Sequence, residues 1–177
     1  NDSELVSAVT YGGQALTQVG TYENNLEGTP DGRIYIYRLL NPPTGSNTLL
    51  VTWNSPLNNG AVIGAVTYAG VDQAAPTRTF ASNRGTSTSS SVVVSSATGD
   101  LVFGVVGGRI NGQNYAVTGG GTLLWTARPV NTHTAGSGQS KAGASSVTLS
   151  WSGTNDEWVA GGVSLKPAAG GGVTSTA

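Results

Sequence analysis

Apolar residues recur along this chain in runs of strand length, often with the period of two that sends alternate side chains to opposite faces of a sheet. Residues 5–11 and 15–22 are the first two runs, split by Gly12-Gly13, and Gly13-Gln14 reads as a tight hairpin turn. Residues 33–40 follow, opened by the turn signal Pro30-Asp31-Gly32 and stopped by Asn41-Pro42-Pro43-Thr44-Gly45, which cannot continue a ladder. Residues 48–53 put Leu49, Val51 and Trp53 on one face. Residues 61–71 form a long apolar run that reads as a strand buried on both faces, and residues 77–81 a weaker strand.

The second half repeats this behaviour. Strands are predicted over residues 91–96, 101–106, 122–127, 145–151 and 158–166, the fourth with Val147, Leu149 and Trp151 alternating against Thr148 and Ser150. Residues 107–115, rich in Gly and Asn, read as a loop or irregular hairpin, and residues 131–143 as an exposed polar segment. About eleven strands and no helix therefore predict an all-β fold, an antiparallel two-sheet β-sandwich of jelly-roll type. Residues 1–167 would form its single domain, and residues 168–177, rich in Gly and Thr, a tail or linker. One short echo, Val9-Thr10-Tyr11-Gly12-Gly13 against Val66-Thr67-Tyr68-Ala69-Gly70, links two strand-turn units without extending into a longer repeat.

Composition narrows the setting. Only 10% of the 177 residues are charged and the net charge is −1. No basic stripe exists to neutralise phosphates, so nucleic acid is not an expected partner. No run approaches the ~20 apolar residues of a membrane span, so membrane insertion is not expected. There is no Cys, which excludes a disulfide framework and thiolate metal sites, and no Met, so a processed leader, a cleavage or an upstream domain is expected before Asn1. A charge-poor Ser/Thr surface is the composition expected outside the cell or on its surface.

Enzyme chemistry finds little to stand on, and a non-enzymatic protein is expected. The one histidine, His133, lies in a polar loop without a nucleophile elbow nearby. The acidic residues sit at turns, where Asp caps its own backbone, and not as a pair flanking a cleft. Calcium is the ion whose oxygen chemistry the sequence offers, at Glu23, Glu27 and Asp31 or at Asp156 and Glu157. Glycan binding needs an aromatic platform with amides beside it. Trp158, Tyr22 and Tyr115 at strand or loop edges, with Asn155, are the candidates, whereas Trp53, Trp125 and Trp151 alternate with apolar neighbours and read as core.

Several segments taken together carry a resemblance: Val9-Thr10-Tyr11-Gly12-Gly13-Gln14-Ala15-Leu16-Thr17, Tyr37-Arg38-Leu39-Leu40-Asn41-Pro42-Pro43-Thr44-Gly45, Ala65-Val66-Thr67-Tyr68-Ala69-Gly70-Val71-Asp72-Gln73, Ala97-Thr98-Gly99-Asp100-Leu101-Val102, and the stretch from Trp158 to Lys166. Over residues 5–167 the chain resembles poorly characterised β-sandwich modules of large secreted and surface proteins of bacteria, and of metagenomic and phage sequences. There such modules often sit beside lectin-like and fibronectin-like domains. The resemblance implies an extracellular module and no catalytic residues. Two readings follow: a structural or adhesive block held to copies of itself, as in a filament, through strand edges or terminal segments, or a carbohydrate-binding module.

Overall fold

The computed structural model describes residues 4–26, 32–109, 114–129 and 134–176. The fold is all-β: among the described residues 62% are strand, none is helical, and every strand pairing is antiparallel. Among the described residues thirteen strands form where about eleven are predicted, and their hydrogen bonding divides them among four antiparallel sheets, the largest of six strands.

The first sheet joins β1 (Val6–Tyr11), β2 (Gln14–Ala15) and β5 (Leu49–Trp53) in the order β2-β1-β5. Its hairpin turns at Gly12-Gly13, both at positive φ, as a two-residue loop with two left-handed positions requires. A second sheet pairs β3 (Thr17–Asn24) with β4 (Gly32–Arg38). β6 (Thr67–Ala69) pairs only with the far C-terminal β13 (Thr174–Thr176), so part of the expected linker is a strand.

The largest sheet has six strands. Its path is β10 (Thr122–Ala127), β11 (Thr134–Ala142), β8 (Leu101–Arg109), β12 (Ser146–Leu165) and β7 (Ala81–Ser95), with β9 (Ala116–Thr118) on β12 off this path. β12 runs straight through Asn155-Asp156-Glu157, where the sequence reads as a turn; the register merely shifts between Ser152 and Asp156. There the β7/β12 ribbon folds over. Eight residues of extended strand span about 26 Å, yet the Asn83 amide donates to the Ser91 carbonyl of the same strand at 2.9 Å. Folding over lets Val92, Val94, Val147, Leu149 and Trp151 of one half join Val102, Val106, Trp158 and Ala160 in one buried cluster. At Gly104 and Gly162 the approach is so close that Leu149, and at Gly162 also Val94, occupies the space a Cβ would need.

The opposite face of this sheet packs on β4. Ile34 and Ile36 meet Val105, Val159 and Val163 in a second cluster, edged by Phe80, Phe103 and Trp125. Two predictions fail here for physical reasons. Residues 131–143, read as exposed, contain β11, buried from Ala135 to Ser140. Small residues carry no apolar signal, but they are what a close-packed interior strand needs beneath the Trp125 indole, which fills the space over Gly138. Conversely, residues 61–66 form no strand, and Ile63 is 56% exposed.

Candidate functional site

The aromatic and oxygen-rich candidates converge only in part. Trp158 is 6% exposed and Tyr115 4%, so neither presents a ring face to a ligand. Both belong to the first core cluster, and the Trp158 indole N–H donates to the Ser87 hydroxyl at 3.1 Å. Burial, with Asp156 adding its charge, pushes the Tyr115 phenol well above its ordinary range. Trp151 is buried as core, as its alternation with apolar neighbours predicts, whereas Trp53 is half-buried on β5. Tyr22 is half-buried on β3, with the Arg84 guanidinium 5.5 Å from its ring centre. Arg84 also donates to the Glu23 carbonyl oxygen at 3.3 Å, so the cation over the ring is held by the backbone. Asn155 is exposed at the fold of the ribbon. An aromatic platform with flanking amides is therefore not assembled from these four residues.

Of the calcium candidates, Glu23, Asp156 and Glu157 are among the described residues. The Glu23 carboxylate is ion-paired with Arg33. Glu27 and Asp31 lie outside the described residues, as does His133. Asp156 accepts the backbone N–H of Glu157 at 2.8 Å. Among the described residues no three His, Cys, Asp or Glu side chains converge on a point.

The best-built polar cluster is one the sequence reading treated as a turn. Asp100 is buried, and its Oδ2 accepts from Arg78 Nε at 2.5 Å, Ser164 Oγ at 2.7 Å and the Ala97 amide at 3.0 Å. Ser96 and Ser164 share a hydroxyl contact of 2.8 Å beside it. Burial pushes the Asp100 carboxyl up, but the Arg78 and Ser164 hydrogen bonds, the Arg78 charge and the Ala97 amide outweigh it and hold the group below its usual range. Ser164 is buried, and neither it nor Asp100 lines the large cleft. With Oδ2 held by donors from Arg78, Ser164 and Ala97, the carboxylate clamps the 97–100 turn to β12 and Arg78. The alternation of Asp and Gly in Thr98-Gly99-Asp100 signals the turn but not the buried ion pair.

One large concavity exists among the described residues. A half-open cleft of about 890 Å3 lies between the β1-β5 sheet, β4 and residues 59–67. Leu49, Val51 and Trp53 line one side and Tyr35 and Tyr37 the other, these two rings stacked at 6.2 Å. The size suits a ligand pocket, but the polar groups needed to orient a ligand are mostly engaged: Arg33 with Glu23, and Arg38 with the Thr77 hydroxyl at 2.7 Å.

What the fold leaves unpaired is strand edge. β7 is fifteen residues long and bonds only β12 among the described strands. Its sequence, Ala-Ser-Asn-Arg-Gly-Thr-Ser-Thr-Ser-Ser-Ser-Val-Val-Val-Ser, holds one ionisable side chain, Arg84, and no Pro. Val93, 59% exposed, stands on its outer face. The comparisons add nothing to this geometry: no family model, no curated protein and no solved structure matches the chain.

Proposed function

We propose that this chain is a non-enzymatic building block of an extracellular assembly, joined to copies of itself through strand edges and terminal segments. The observation that carries this reading is the outer edge of β7. Edge strands are normally blunted by Lys, Pro, bulges or short length, because a row of free N–H and C=O groups templates another strand. β7 has length, an exposed Val93, and a single charge that is turned onto Tyr22. An adhesive or filament-forming role uses such an edge; an enzyme or a monomeric module gains nothing from leaving it bare. The charge-poor Ser/Thr surface, with 10% charged residues overall, weakens the electrostatic repulsion that would keep copies apart.

The test is sizing by light scattering, with negative-stain micrographs, across a concentration series. Wild type is expected to grow into oligomers or fibres as concentration rises. The double variant Thr86→Lys with Val93→Lys, both exposed positions, should form smaller assemblies than wild type at the same concentrations, with an unchanged melting temperature. Wild type that stays monomeric at its highest soluble concentration overturns the proposal.

A further inference from the structure

The C-terminal strand is held in an unusual way. Pro167 bridges to Val71, and Thr174 pairs with Ala69. Advancing two positions along the partner covers roughly 7 Å. The chain uses residues 168–173 to do so, and seven links from Pro167 to Thr174 could reach about 23 Å if extended. The slack is taken up by a turn in which the Gly171 amide donates to the Ala168 carbonyl at 3.0 Å, with Gly170 at positive φ, while the Ala168 amide donates to the Gly70 carbonyl at 2.8 Å and the Gly172 carbonyl lies against Gly70. Residues 168–172 are all exposed, and nothing lies within 4 Å of where a side chain at Gly170 or Gly172 would begin. An intramolecular strand needs no such excess length. β13 itself is attached by three residue pairs, Thr174 with Ala69, Ser175 with Tyr68 and Thr176 with Thr67.

We infer that β13 is an exchangeable strand, which leaves its own β6 and pairs with β6 of the next copy. Closed and exchanged forms make the same three-pair ladder, so their difference in free energy is small and concentration decides between them. A strand given head to tail generates an open chain of copies instead of a closed pair unless the rotation closes a ring. The inference rests on the reading that copies of this chain associate, but it names a different contact from the β7 edge, and the two can be separated.

The chain has no cysteine, so an engineered pair reports cleanly. Ala69 and Thr174 are exposed and directly paired across the antiparallel ladder, within the Cα separation that a disulfide spans. The full-length variant Ala69→Cys with Thr174→Cys is oxidised over a concentration series and run on a non-reducing gel. A ladder of disulfide-linked oligomers that grows with concentration, and persists in the Thr86→Lys, Val93→Lys background, is the expected result. Oxidation to monomer alone at every concentration overturns strand exchange, even where micrographs show fibres built through β7. Failure to form any disulfide overturns it too, because β13 then does not occupy β6 in either form. A ladder together with an unaffected assembly in the Lys variant would instead remove the β7 edge from the reading and leave the exchanged strand.

Discussion

The two faces of β4 meet very different surroundings. Ile34 and Ile36 are buried against Val105, Val159 and Val163. Tyr35 and Tyr37, on the alternate positions, line with Leu49, Val51 and Trp53 a half-open cleft of about 890 Å3, whose lining also reaches the edge of the Ile34 and Ile36 cluster. The dense side continues through the sheet to the folded ribbon, where Leu149 packs into the space left by Gly104 and Gly162. The difference is not one of apolar content, since the cleft walls are rich in Val, Leu and Ile. It is one of register. Alternating strands interleaved with Gly offer a single way to interdigitate, whereas residues 61–66, Ala-Val-Ile-Gly-Ala-Val, have no polar face to fix which side turns inward.

The largest expected effect falls on the dense side. Trp158 is buried over Gly85, and its indole N–H is satisfied by Ser87. Trp158→Ala removes the ring, leaves a cavity, and should lower the unfolding free energy by about 3–5 kcal/mol. Chemical denaturation measures this. A loss below about 1 kcal/mol would mean that the folded ribbon does not pack as tightly as described.

Asp100 should give the next largest effect, because its clamp ties β12 to the turn before β8. Asp100→Asn keeps the shape but places an amide among donors, and should cost about 2 kcal/mol at neutral pH. The sign of the pH dependence follows from the lowered carboxyl pKa. The stabilisation is complete above the unfolded-state value of about 3.9 and disappears as pH falls through the lower folded-state value. Thermal melts of both proteins should therefore converge as pH drops below about 4. A gap that stays constant over that range would show that the carboxylate charge is not what stabilises the turn.

How legible this was in the sequence depends on what each residue signals. β1, β4 and β5 match their predicted runs closely, because period-two alternation and Gly or Pro turns act locally. β11 was invisible because Gly136, Ser137 and Gly138 are buried by what lies above them, and no residue in that run is itself apolar enough to announce it. β12 reads as two strands because Asn155-Asp156-Glu157 has turn composition, yet two extra residues in a long ladder are absorbed as a register shift. Trp158 reads as a candidate ligand-binding aromatic for the same reason: its neighbours are polar, while the partner strand supplies a glycine beneath it. The Asp100 clamp joins residues 64 apart to Ser164, beyond the reach of any local pattern.

The smallest expected effect lies on the open side. Ile63 is 56% exposed on the cleft wall, so Ile63→Ala removes little buried surface and should change stability by less than about 0.5 kcal/mol. Ile36→Ala, the same change on the buried face of β4, should cost about 2–4 kcal/mol. The contrast between two isoleucines of one chain measures the difference between the two sides directly, with the unfolded state nearly cancelled. A dye that fluoresces on exposed apolar surface should bind the native protein at this cleft, and Ile63→Asp should weaken that signal without lowering the melting temperature. If instead Ile63→Ala costs as much as Ile36→Ala and the native protein leaves the dye dark, then residues 61–66 are packed in solution. The apolar run would then behave as its sequence predicts, as a buried strand, and the cleft would be closed by it.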